Sequence, residues 1–114
     1  MKINKNLINI KDFNVYSDNE QIIGLWDGKT LYRKTITKNN TTPNTNSYML
    51  PSPTGLDKVF NLDIMQYAEG SYIHDYFWNS TDYLRVFYGN GAIQVRTSKN
   101  GDYNHYVTIE YTKS

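Results

Sequence analysis

The chain carries twelve basic and eleven acidic residues in 114, a net charge of +1, with no cysteine and with eleven Tyr, four Phe and two Trp. That length supports one hydrophobic core and no second domain. The near-neutral balance excludes the long-range field that gathers nucleic acid or an anionic membrane, and the lack of cysteine excludes disulfides and thiolate metal sites.

Residues 1–15 read as an arm or a first strand, and 16–114 as a single domain. The opening MKINKNLINI has no apolar run long enough for a signal peptide, and no window of the chain reaches the length of a membrane-spanning helix. Ile3, Leu7, Ile8, Ile10 and Phe13 are the apolar teeth of a candidate docking arm. An ordinary first strand or a frayed terminus accounts for the same residues.

Next come two β-prone runs, 21–26 and 30–37, joined by Asp27-Gly28-Lys29. This reads as a hairpin with a three-residue connection and Gly at the left-handed position. Trp26 and Tyr32 are assigned to cross-strand packing, with ligand contact as the alternative. Residues 37–57 hold all three prolines and a cluster of Asn and Thr, so they are expected to form a long surface loop that buries little. Phe60, Leu62 and Ile64 then alternate with Asn61 and Asp63 as a strand, and a Tyr- and Phe-rich run over 71–78 is a further strand candidate.

The last third alternates most regularly. Leu84, Val86 and Tyr88 share one face, as do Ile93, Val95 and Thr97, and then Val107, Ile109 and Tyr111, with Thr108, Glu110 and Thr112 on the wet side. Gly89-Asn90-Gly91 and Asn100-Gly101 supply the positive φ angles of tight turns. Residues 82–113 thus read as a three-stranded meander. The expected fold is all-β, an antiparallel β-sandwich of about seven or eight short strands.

Within that fold, alternation over 71–78 places Tyr72, His74, Tyr76 and Trp78 on one side. Such a stripe is a buried core or interface face, or else a platform for a ligand. Tyr48, in the proline-bearing segment, is a second candidate because loops at the end of a sandwich carry recognition. No catalytic pair stands out. Asp57, Asp63, Glu69, Asp75, Asp82 and Glu110 show no spacing that marks the two carboxylates, about 5 to 10 Å apart, of a glycan-cleaving site. His74 and Asp75 are strand neighbours and face opposite ways. The two His, at 74 and 105, lack metal-ligand spacing, and no phosphate-cradling loop precedes a helix, so no metal or cofactor is expected.

One long motif carries a resemblance. Tyr16, Ser17, Glu20, Gln21, Ile23, Gly24 and Trp26, then Asp27, Gly28, Lys29, Leu31, Tyr32, Arg33, Lys34, Thr35 and Ile36, then Asn61, Leu62 and Asp63, and finally YVTIEYTK over 106–113, resemble a C-terminal module of phage and prophage tail-fibre or receptor-binding proteins. In that pattern an apolar residue separates the Trp from the Asp-Gly turn. Here Trp26 adjoins Asp27, which changes the face taken by the side chains before the turn.

The resemblance implies a non-enzymatic β-sandwich tip in a homotrimeric fibre of a virion, made in the bacterial cytoplasm, that recognises host-surface glycans. In a freestanding chain the arm would dock onto other tail or fibre proteins; the alternative is a structural protein that joins or caps virion parts. Subunit association would bury further aromatic surface and hide sheet edges.

Overall fold

The computed structural model describes residues 17–38, 47–68, 70–98 and 103–114. The candidate arm residues Ile3, Leu7, Ile8, Ile10 and Phe13, together with Tyr16, Glu69, Asn100 and Gly101, lie outside them. Nine strands are present among the described residues. They are β1 (Gln21–Trp26), β2 (Lys29–Lys38), β3 (Ser47–Pro51), β4 (Leu56–Ala68), β5 (Ser71–His74), β6 (Tyr76–Asn79), β7 (Asp82–Gly89), β8 (Ala92–Thr97) and β9 (Asn104–Lys113). They build two antiparallel sheets, ordered β1-β2-β9-β4-β5 and β3-β8-β7-β6. The expected all-β sandwich is the fold.

The core follows from period-two alternation. Val107, Ile109 and Tyr111 of β9 and Ile64 of β4 point inward from the first sheet, and meet Leu50, Leu84, Ile93 and Val95 from the second. The alternations read for β7, β8 and β9 hold, except that Thr112 is buried rather than wet.

Partner choice departs from expectation. β7 and β8 form a hairpin closed by Asn90-Gly91, both at positive φ, but β9 pairs with β2 and β4 in the other sheet. There is no three-stranded meander over 82–113. Alternation fixes which side chains face inward; it does not say whether the next strand continues the same sheet.

Three local corrections bear on function. The chain changes sheets at Asp75, whose N–H donates to the Ile64 carbonyl at 3.1 Å, so 71–78 is two strands rather than one. The segment 37–57 is not all loop: β3 sits in it as an edge strand ending at Pro51, where the missing N–H costs least, and it delivers Leu50 to the core. The first hairpin has a two-residue turn, Asp27-Gly28 with φ of 48° and 79°, because Trp26 already pairs with Lys29. In β4 a register shift between Val59 and Asn61 takes Phe60 off the inward face, and its ring meets Trp26 at 4.7 Å.

A polar clasp joins the sheets at one end of the core. His105 of β9 is fully buried and stacks on Tyr48 of β3, with ring centroids 5.7 Å apart. Its Nε2 donates to Gln66 Oε1 at 3.0 Å, and its Nδ1 accepts from the Tyr48 hydroxyl at 2.5 Å. Burial lowers the imidazole to about 4, and burial also raises the Tyr48 phenol.

Between an ordinary value of 6.5 and about 4 the unfolded chain therefore holds a proton that the folded chain does not. Stability is full above 6.5 and declines as the pH falls toward 4. Urea unfolding should show this decline, and His105→Gln should remove the part above 4.5, the ordinary value of Glu20. At the sandwich centre, Ile109→Ala should lower the unfolding free energy by about 2–5 kcal/mol, measured in the same titration at pH 7.

Candidate functional site

The alternation that sends Val107, Ile109 and Tyr111 into the core turns Tyr106, Thr108 and Glu110 outward. Register sets their neighbours. Arg33 and Thr35 of β2 lie opposite Glu110 and Thr108, while on the other side Asn61, Asp63 and Met65 of β4 lie opposite Glu110, Thr108 and Tyr106. His74 of β5 is opposite Met65. These nine side chains line a groove of about 290 Å³ on the outer face of the five-stranded sheet.

The groove is polar along its floor and apolar at one end. Asn61 Nδ2 donates to Glu110 Oε1 at 2.9 Å, and the Thr35 and Thr108 hydroxyls are 3.1 Å apart. His74 Nδ1 is 4.0 Å from Asp63 Oδ2. Arg33 is almost fully buried in this floor at 8% exposure. One strand step further, Tyr67 and Tyr72 form a cross-strand pair with ring centroids 4.7 Å apart, and Tyr72 is 63% exposed. Next to the groove, burial and then repulsion from Asp63 raise the Asp75 carboxyl, partly offset by Arg85.

This arrangement offers fixed hydrogen-bond donors and acceptors on paired strands beside tyrosine faces, which suits a hydroxyl-rich ligand. Among the described residues no group of three or more His, Cys, Asp or Glu gathers to hold a metal ion.

The structure divides the expected aromatic stripe. Tyr72 and His74 do share the outer face of β5. Tyr76 turns inward against the core, and its hydroxyl donates to Asp82 Oδ1 at 2.5 Å. Burial first, then the bond to and charge of Asp82, push that phenol up to about 12. Trp78 is 78% exposed but belongs to β6 of the other sheet. The reason is the sheet change at Asp75, which resets the alternation. Tyr48 is a core-side residue of a strand, spent on His105.

The motif hairpin is built as structure. Gly24 sits at a register shift in β1. Lys29 Nζ lies 3.5 Å from Asp57 Oδ2, and Tyr32 stacks on Tyr111 at 5.8 Å. Lys113 lies 4.6 Å from the Tyr32 ring centroid and 2.5 Å from Glu20 Oε1, and the Tyr111 hydroxyl donates to Glu20 Oε2. Burial opposes ionisation of Glu20, but these two bonds and the charges of Lys113 and Lys34 outweigh it and lower the carboxyl. Trp26 stays 55% exposed beside Phe60.

Sequence reasoning missed Arg33, Thr35, Asn61, Met65, Tyr106 and Thr108 as site residues and considered Asp63 and Glu110 only as unpaired carboxylates. The wet side of β9 was visible as a pattern, but its register against β2 and β4 was not. No protein-family model, no curated protein and no solved structure matches the chain significantly.

The Asp63–Asp75 relation is measurable. Asp63→Asn should move the Asp75 titration downward while leaving it above an ordinary aspartate, because burial remains. Carboxyl chemical shifts followed against pH would read both positions, and an unmoved Asp75 would refute the coupling.

Proposed function

We propose that the chain is a non-catalytic binding module that recognises a cell-surface glycan through the groove on its five-stranded sheet, working as a tip of a phage or prophage tail fibre. The single observation that carries the binding reading is the groove itself, in which Arg33, Asn61, Asp63, Glu110 and two threonines lie on paired strands next to Tyr106 and exposed Tyr72. Saccharides are held by such rows of amide, carboxylate and hydroxyl groups flanked by rings. The virion setting is supported by the sequence resemblance in the first hairpin and in 106–113.

A second reading, a structural virion protein that joins or caps other parts, is favoured by one observation. Ile22, Leu25, Trp26 and Phe60 are each exposed around the β1–β2 hairpin and the start of β4, with the rings of Trp26 and Phe60 in contact. Apolar surface of this kind suits burial against another subunit. Exposed apolar side chains also suit the subunit association of the homotrimer that the resemblance implies, and both roles are compatible with one assembled fibre.

Neutral host-wall oligosaccharides titrated calorimetrically should bind the protein and be recovered uncleaved. Glu110→Gln and Tyr106→Ala should each weaken binding about tenfold or more, since each removes a contact worth roughly 1.5 kcal/mol. Unchanged affinity in both variants would remove the groove from the account. Light scattering should give three copies for the native chain and a smaller assembly for Leu25→Asp, whereas a native monomer would contradict the trimer.

A further inference from the structure

The outer face of the four-stranded sheet has a different chemistry. Leu84 and Val86 of β7 and Val95 and Thr97 of β8 point inward, so Arg85 and Arg96 point outward, and they are direct cross-strand partners. Two like charges set opposite one another oppose sheet formation. Among the described residues neither arginine has a carboxylate within ion-pair range, although Asp75 feels the charge of Arg85. Each guanidinium instead lies over a ring, Arg85 at 5.3 Å from the Phe77 centroid and Arg96 at 5.0 Å from that of Phe87. Phe77 is 59% exposed, and Trp78, the next residue, is more exposed still.

Neither folding nor the groove on the opposite sheet explains this pairing. Stacking restricts both guanidiniums before any ligand arrives, which lowers the entropy lost on binding. We propose that this face is a second ligand site and that it takes an anionic saccharide chain, whose carboxylate or phosphate groups meet Arg85 and Arg96 while its sugar rings pack on exposed Phe77. The arginine fork matches either oxyanion in a bidentate way, as lysine does not. The open sheet face admits an extended chain. Two arginines on a chain of net charge +1 do not neutralise the many phosphates that hold a nucleic acid. The partner is therefore a sparsely charged polymer.

The full chain would be titrated with oligogalacturonate, with a phosphorylated mannan, with neutral dextran, with an oligo-dT of twenty nucleotides and with poly-glutamate, with Trp fluorescence and calorimetry as readouts. At least one of the two acidic saccharides should bind while dextran does not, and whichever binds identifies the oxyanion. Arg85→Gln and Arg96→Gln should each weaken that binding at least tenfold, and the Lys variants should recover only part of it. Raising the salt to half molar should also weaken it. Glu110→Gln in the groove should leave it unchanged, so this site and the groove stand or fall separately. The proposal is overturned if neither acidic saccharide binds, or if a folded R85Q/R96Q double variant binds them as well as the native chain. Tighter binding of oligo-dT or poly-glutamate would overturn it equally.

Discussion

The parity of β9 is the constraint on which the rest depends. This strand is paired on both sides, by β2 and by β4, over nearly its whole length. Its odd-numbered residues from 105 to 111 face the second sheet, and its even-numbered residues from 106 to 110 floor the groove. A slip of one residue would bury Glu110 and expose Tyr111, so core and site are specified by the same register. Neither can drift without the other.

Side chains at the two ends of β9 reinforce that register. At one end His105 ties β9 to Gln66 within its own sheet and to Tyr48 across the sandwich, a polar arrangement that only this alignment satisfies. At the other, Tyr111 and Lys113 hold Glu20 just before β1, which fixes the start of the motif hairpin against the C-terminal strand. Residues 91 and 93 positions apart are thereby joined. A buried neutral imidazole and a hydrogen-bonded carboxylate both lose their advantage in acid, so the fold is held most firmly near neutral pH.

Much of this was legible in the sequence where the physics is local. The strands around Leu84, Ile93 and Val107, the positive-φ turn residues Gly28, Asn90 and Gly91, and the all-β class follow from alternation and turn chemistry. What depends on partners was not legible. Nothing in the sequence around Asp75 announces that the chain leaves one sheet for the other, so Tyr72 and Tyr76 read as one stripe although they occupy different faces. Proline and asparagine around 43–53 concealed an edge strand, because Pro51 ends it where no ladder N–H is needed. Phe60 looked like a core residue until a bulge turned it outward. The groove combines residues from four strands separated by up to 77 positions, from Arg33 to Glu110, and only register brings them together.

The two broad faces then constrain where copies of the chain can meet. The groove lies on one outer face and the paired arginines lie on the other, and an interface formed over either would cover a ligand surface. The hairpin tip lies at the edge of the sandwich, away from the centre of either face. Its exposed Ile22, Leu25 and Trp26 belong to β1, an edge strand whose outer backbone groups have no partner strand among the described residues. Unpaired apolar edges invite association, and the register shift at Gly24 limits how far another strand could extend along this one. Contact at the tip would thus bury exposed apolar side chains of β1 and leave the arginine face open, while Trp26, through its contact with Phe60 next to Asn61, brings such an interface to the margin of the groove.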